Sequence, residues 1–196
     1  MMLAHVLRFT ASRLGQTLDR WAERVLAWDE GAVDAVSASR FLGRFDLLLV
    51  VATYLGYGYL WGALALALVV FGTKADHASV LIGVEVVISS VFLSQAVKSV
   101  AGRPRPPFHR RGFHHQFLTN TSFPSNHTTA AFAMAYLVVR LYPWWPNVVV
   151  IYTMAILIGL SRVYLREHFP LDVVGGAVLG TWVSHGLLPL FARLVQ

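Results

Sequence analysis

From Leu47 onward the chain reads as apolar runs separated by short polar breaks. A helix that crosses a bilayer needs about 20 mostly apolar residues at roughly 1.5 Å of rise each, and five runs are candidates. Leu47 to Gly72 carries no charge, and Ser79 to Val97 contains a single acid, Glu85. The third, from about Thr128 to Tyr142, and the fourth, from Pro146 to about Leu160, are short; the fifth runs from about Leu171 to Phe191 with His185 inside. Bundled helices can borrow length from flanking turns. None of these runs has the polar face of a soluble helix. The pattern predicts an all-α, integral-membrane helical bundle of about five transmembrane helices.

Residues 1–45 follow a different rule. Val6, Leu7, Leu14, Leu18, Trp21, Val25, Leu26 and Trp28 recur at helical spacing, with Arg8, Arg13, Arg20, Glu23 and Arg24 between them. That is the pattern of an amphipathic helix lying on the membrane surface. Arg13, Asp19 and Arg20 interrupt the apolar core that a signal peptide requires. Asp29-Glu30-Gly31 reads as a break, after which a second mixed stretch leads to Asp46 and the first span. No internal repeat or linker is visible, so the expectation is an amphipathic N-terminal region, 1–45, on a transmembrane core, 46–196.

Composition sharpens this picture. Only 13% of the 196 residues are charged, about half the roughly 25% of soluble domains. The net charge of +6 would by itself fit any anionic partner, nucleic acid or lipid headgroup. Its placement decides between them. Residues 1–46 balance six arginines against six acids, whereas 98–127 hold five basic residues and no acid. Nearly all the excess is one loop beside a span, which points to a membrane anion and away from nucleic acid. Cysteine is absent, which excludes disulfides, thiolate zinc sites and thiol nucleophiles.

The polar chemistry gathers in three places. Lys98 closes the second span, with Arg103 and Arg105-Pro106 following; cations at a helix end also serve as plain membrane-edge anchors. Arg110, Arg111, His109, His114 and His115 continue the positive character and read as solvated or headgroup-facing. Pro124-Ser125-Asn126-His127 precedes an apolar run, where Ser125 or Asn126 is a good helix cap and free N–H groups offer an anion site. Ser161-Arg162, then His168, then Asp172 form the last group. Pro170 suits the first turn of the fifth helix, so Asp172 can reach back to His168, fix its tautomer and leave the other nitrogen nucleophilic or basic. Asp172 could instead only cap the helix, and Arg162 could snorkel. Two crossings separate the segments Lys98 to Pro124 and Ser161 to Pro170, which puts both on the N-terminal side of the membrane.

In order and spacing these segments resemble the three-part signature of the type 2 phosphatidic acid phosphatase (PAP2) superfamily. Lys98 and Arg105-Pro106 match its first part, Pro124 to His127 its second and Ser161 to Asp172 its third, with Asn126 standing where Gly is usual. The likeness covers residues from about 46 to 190. It implies that Lys98, Arg105 and Arg162, with Ser125 and Asn126, bind the phosphate, that His168 attacks phosphorus and becomes phosphohistidine, and that Asp172 orients it. His127 would protonate the leaving group and then activate water. No cofactor and no metal is implied, since the cations supply the charge that Mg²⁺ supplies elsewhere.

The short chain and surface helix look most like the small bacterial undecaprenyl diphosphate phosphatases of that superfamily. Phosphatidate and phosphatidylglycerophosphate stay open as substrates, lipid A follows, and a non-enzymatic anionic-lipid-binding protein and a vanadate-dependent haloperoxidase are the competing classes. The positive-inside rule would make the N-terminal face cytoplasmic, but the loop charges are those that phosphate chemistry needs. The resemblance implies a site on the extracytoplasmic face of a bacterial cytoplasmic membrane. Glu85 has no assigned role, Gly176 and Gly180 read as helix packing, and Trp144-Trp145 suits an interfacial belt.

Overall fold

The computed structural model describes residues 13–107 and 121–194. His109, Arg110, Arg111, His114 and His115, like Val6, Leu7 and Arg8 of the N-terminal pattern, lie outside the described residues. Within them all regular structure is helical, apart from one isolated bridge between Pro104 and Thr121. The helices are α1 (Arg13–Ser37), α2 (Arg40–Gly43), α3 (Asp46–Tyr54), α4 (Leu60–Phe71), α5 (Lys74–Ala101), α6 (Asn126–Leu141), α7 (Trp145–Tyr164) and α8 (Pro170–Leu194).

Local sequence sets most boundaries. Thr73 and Asp76 form a reciprocal capping box at the start of α5, which stops at Gly102 in the left-handed region (φ 58°). Ser125 caps α6, and Pro146 and Pro170 sit in the first turns of α7 and α8. Four segments are long and apolar enough to cross a membrane: Asp46–Phe71, Lys74–Ala101, Trp145–Tyr164 and Pro170–Leu190. The remaining expected span, α6, has 16 residues, or roughly 24 Å of helix against a hydrocarbon layer of roughly 30 Å. It is also the central element, packed most extensively on α8 and also on α7 and α5. Ala131, Ala133, Ala135 and Leu137 on it are buried in the main core with Ile82, Val86, Ala155 and Ile158.

Two sequence expectations need correction. The helix does not break at Asp29-Glu30-Gly31 but runs unbroken to Ser37. A glycine inside a helix costs only about 1 kcal/mol, and Val33, packed with Val163 and Phe169, holds the second half of α1 to the bundle. The apolar stripe of Leu18, Trp21, Val25 and Trp28 is exposed, as a membrane-surface helix requires. Conversely, the charge-free run from Leu47 is not one regular helix. A π turn, Leu55–Tyr59, joins α3 to α4, with Gly58 at φ 101°, a conformation that only glycine adopts cheaply. Glu85 lies on the exposed side of α5, and Trp144 and Trp145 are exposed at the start of α7.

Helix α8 approaches α6 backbone to backbone. A Cβ on Gly180 would lie 2.0 Å from the Thr129 carbonyl oxygen, and one on Gly176 would lie 2.7 Å from that of Ser125. These glycines therefore set the distance between the start of α6 and the start of α8, where the polar residues gather. Gly180→Val is expected to lower stability by about 1–3 kcal/mol through overpacking, read as a fall in the thermal midpoint of the protein in detergent; an unchanged midpoint would refute the close approach.

Candidate active site

The end of α7 builds the first half of the site. Arg166 adopts a left-handed conformation (φ 60°), so the chain turns sharply and the N–H groups of Glu167 and His168 both donate to the Arg162 carbonyl, at 2.9 and 3.2 Å. Three contacts hold this unfavourable residue: its guanidinium donates to Pro107 O and Ser37 Oγ and pairs with Asp34. The turn buries His168 and Glu167, each 1% exposed. The Arg162 side chain, inside the same turn, pairs with the Glu167 carboxylate, while its Nη1 lies 3.5 Å from Thr53 Oγ1. Among the described residues, Arg162 Nε is a buried donor without a hydrogen-bond partner. A donor left so inside a protein is available to an acceptor that enters from outside, a ligand or a water.

The start of α8 supplies the second half. Asp172, the third residue of α8, accepts the Phe169 N–H at 2.9 Å through Oδ2. The same oxygen is 3.4 Å from His168 Nδ1, long for a hydrogen bond but of the kind that tightens around a bound substrate. The helix cap and the imidazole orienter are thus one carboxylate. On the other side of the ring, Arg105 Nη1 lies 3.3 Å from His168 Nε2 and donates to the Glu167 carbonyl at 2.9 Å. Guanidinium can only donate, so Nε2 is the lone-pair nitrogen and Nδ1 carries the proton toward Asp172.

Lys98, at the end of α5, is 2% exposed and donates to the carbonyls of Thr121 and Ser122, both at 3.2 Å. This is a buried position and not that of a membrane-edge anchor. Burial comes first, followed by the facing charges of Arg162, Arg105 and Lys98, in holding the His168 pKa well below the ordinary 6.5. Burial likewise lowers that of Arg105. His168 is therefore neutral, with its lone pair directed at Arg105.

The Pro124–His127 segment approaches from α6. It is locked to α8 by the Ser125 N–H, which donates to the Asp172 carbonyl at 3.0 Å. Ser125 Oγ accepts from Thr128 N and Thr128 Oγ1, which uses its acceptor capacity on the cap and leaves its one O–H as donor. Asn126 Oδ1 accepts from Ser94 Oγ at 2.6 Å, so α5 fixes the amide that replaces the usual glycine. His127 stands edge-on to Tyr57, with ring centroids 4.5 Å apart at 89°. Tyr57 also faces Arg162, whose guanidinium carbon is 5.9 Å from the ring centroid. The structure thus gathers Lys98, Arg105, Arg162, His168 and Asp172 in one cluster, sets Ser125 beneath it, and places Asn126 and His127 to one side, next to Tyr57.

Four residues around the site are not marked by the sequence motifs. Tyr57 sat within a run taken for a plain span; the glycines at 56 and 58 on either side of it were the available signal. No motif position singles out Glu167, Arg103 reads only as part of a basic cluster, and Asp29 only as part of a break. In the structure Asp29, Arg103 and Asp172 form a buried ion-pair chain.

Beside Asn126 and His127 opens a cleft of about 840 Å³ between the α3–α4 kink, α5 and α6. Its lining includes Trp61, Gly62, Val87, Ala130 and Met134, and it extends to Ser79, Leu141 and Tyr142 at the far ends of α5 and α6. It follows nearly the whole of α6, roughly 20 Å at 1.5 Å per residue, and is almost entirely apolar.

The family model described as PAP2 superfamily matches residues 79–195. Among similar proteins, the bacitracin transport permease protein BcrC of Bacillus licheniformis is 27% identical over 87% of this chain and 92% of its own length. An undecaprenyl-diphosphatase of Sulfolobus acidocaldarius is 30% identical over 70% of this chain and 66% of its own. The solved structure of Aquifex aeolicus LpxE superposes with a TM-score of 0.64 at 26% identity, over 81% of this chain and 93% of that one. A phosphatidylglycerolphosphate phosphatase from Bacillus subtilis superposes over 100% of this chain and 92% of that one, TM-score 0.67, at 24% identity, and shares the fold.

Because His168 is held neutral, the acid limb of kcat/KM that reports its protonation in the free protein is expected well below pH 6.5. Removing a facing cation favours the imidazolium, so Arg105→Gln should move that limb to higher pH in the residual activity. A limb at 6.5 that Arg105→Gln leaves in place would contradict the electrostatics described.

Proposed function

This chain belongs to the PAP2 superfamily and is an integral-membrane lipid phosphatase, and we propose that it releases phosphate through a phosphohistidine on His168, with undecaprenyl diphosphate as substrate. One observation carries the mechanism: a neutral, buried imidazole whose Nε2 faces Arg105 while Asp172 stands behind Nδ1. In this reading Lys98, Arg105 and Arg162 take the phosphoryl oxygens, with the Ser125 hydroxyl, the Asn126 amide and N–H groups at the start of α6. They stabilise the charge spread over those oxygens at the transition state.

Nε2 attacks phosphorus in line, and the bond from phosphorus to the leaving oxygen breaks as His127 donates a proton to that oxygen. His127, now neutral, takes a proton from water as the water oxygen attacks phosphorus. The P–N bond breaks, orthophosphate leaves, and the pair on Nε2 is restored with Nδ1–H still on Asp172. The buried cations supply the charge, and no step calls on a metal ion.

The cleft supports a lipid substrate, since an apolar groove that starts at the general acid and runs along the bilayer fits a long hydrocarbon leaving group. The undecaprenyl-diphosphatase relatives, from Sulfolobus acidocaldarius and the putative YbjG of Escherichia coli, favour a prenyl diphosphate. The phosphatidylglycerophosphatase B of Bacillus subtilis, 31% identical over 157 residues, keeps phosphatidylglycerophosphate as the second reading.

Purified protein in detergent, offered undecaprenyl diphosphate, phosphatidate and phosphatidylglycerophosphate in parallel, is expected to release phosphate fastest from the first. Release should survive EDTA and be blocked by vanadate. His168→Ala should abolish turnover, and His127→Ala should lower kcat by about 10²–10⁴-fold. Full activity of His168→Ala, or strong and reversible loss in EDTA, would overturn the mechanism.

The cleft has its own test. A Cβ on Gly62 meets nothing within 4 Å, so Gly62→Leu enters the groove without displacing the fold. It should raise KM for the long-chain lipid and leave hydrolysis of a short, soluble phosphate ester unchanged; equal effects on both would separate the groove from the tail.

A further inference from the structure

The Asp29–Arg103–Asp172 chain joins the membrane-surface helix α1 to the catalytic pair, and the phosphoryl-transfer steps above do not use it. Asp29 is fully buried although it lies on an amphipathic helix whose neighbouring carboxylate, Glu30, is exposed. Its Oδ1 accepts the Leu171 N–H at 2.8 Å, in the first turn of α8. Its Oδ2 accepts from Arg103 Nη2 at 2.5 Å. The other end of the same guanidinium, Nη1, donates to Asp172 Oδ1 at 2.8 Å, and the group lies 4.0 Å over the Phe169 ring.

The geometry divides the Asp172 carboxylate between two tasks. Oδ1 is held by Arg103, which leaves Oδ2 directed at the Phe169 N–H and at His168 Nδ1. A guanidinium is a rigid fork, so the position of one arm on Asp29 fixes the direction of the other. We propose that Asp29 is a positioning residue for phosphoryl transfer: through Arg103 it sets the orientation of the Asp172–His168 pair, so that the N-terminal surface helix is a working part of the site.

The electrostatics agree. Charged groups facing His168 come from each element packed on it: Lys98 from α5, Arg105 from the loop after it, Arg162 from α7 and Asp172 from α8. Two carboxylates sharing one guanidinium leave a net negative charge behind the imidazole, opposite the three cations. Without Asp29, Arg103 would place its whole charge on Asp172 and weaken that carboxylate as an acceptor for Nδ1–H.

The proposal rests on His168 as nucleophile, so His168→Ala is assayed beside the variants that test it. Asp29→Asn is expected to fold, to lower kcat by roughly 10–100-fold, the scale of a small misplacement of a reacting group, and to change KM less than threefold. Its acid limb in kcat/KM should move to lower pH, because a negative charge near His168 is gone; a purely structural defect would lower the amplitude and leave the limb in place. Glu30→Gln, the same change on the neighbouring exposed residue, should match the unsubstituted protein. In the Asp29→Asn background, Arg103→Gln should lower kcat by a smaller factor than it does alone, since Asp29 acts through Arg103. If Asp29→Asn does not accumulate as folded protein, Asp29→Glu and Arg103→Lys are measured in its place. Failure of all three to fold, or a folded variant with unchanged kcat and an unmoved limb, overturns the proposal. Turnover by His168→Ala would instead overturn the phosphohistidine reading.

Discussion

A carboxylate removed from water must be matched by donors or it costs several kcal/mol, and at Asp172 those donors come from separate parts of the chain. The Phe169 N–H is local, the Arg103 guanidinium belongs to the loop after α5, and His168 closes the turn from α7. The backbone of the same residue accepts the Ser125 N–H of the α6 cap. Satisfying one residue therefore joins α5, α6, α7 and α8 at one end of the bundle. The glycines at 176 and 180 make this possible, because a side chain at either would hold α6 away from α8.

Much of this was legible in the sequence, because the residues that bear the chemistry also mark the helix ends. Ser125 and Asp172 are capping types, and Pro170 fixes where α8 begins, so the reach of Asp172 toward His168 follows from helix geometry. Apolar runs of sufficient length gave four of the five spans. The remaining one, the third, is short for a physical reason: α6 lies at the centre of the bundle, where length is set by packing on α8 and not by bilayer thickness alone. What stayed hidden depends on partners distant in sequence. Asp29 reads as a helix breaker until Arg103, which lies 74 positions away, is seen to accept its charge. Tyr57 reads as one more apolar residue until the π turn directs it at His127.

The membrane and the site are linked through that kink. A straight helix from Asp46 to Phe71 would keep α4 on the axis of α3. The π turn instead moves α4 off the axis of α3, brings Tyr57 to His127, and leaves α4 as one wall of the cleft beside α5. The bend that completes the polar site is thus also the one that opens the apolar groove beside it. An amphiphile with one phosphorylated end and one long tail meets both requirements in a single pose.

The charge balance supports the proposed binding and release of a phosphate anion. Among the described residues the cluster holds four cations, Lys98, Arg103, Arg105 and Arg162, against the buried carboxylates of Asp29, Glu167 and Asp172. With His168 neutral, one positive charge remains in this cluster, and the proposed mechanism adds that of a protonated His127 when substrate binds. Four uncompensated cations would trap phosphate and repel one another severely at low dielectric. A neutral cluster would have no preference for an anion. Glu167 on Arg162 and Asp29 on Arg103 bring the sum between these limits, so that in the proposed mechanism the charge developing on the phosphoryl oxygens is matched without four uncompensated cations holding the orthophosphate product.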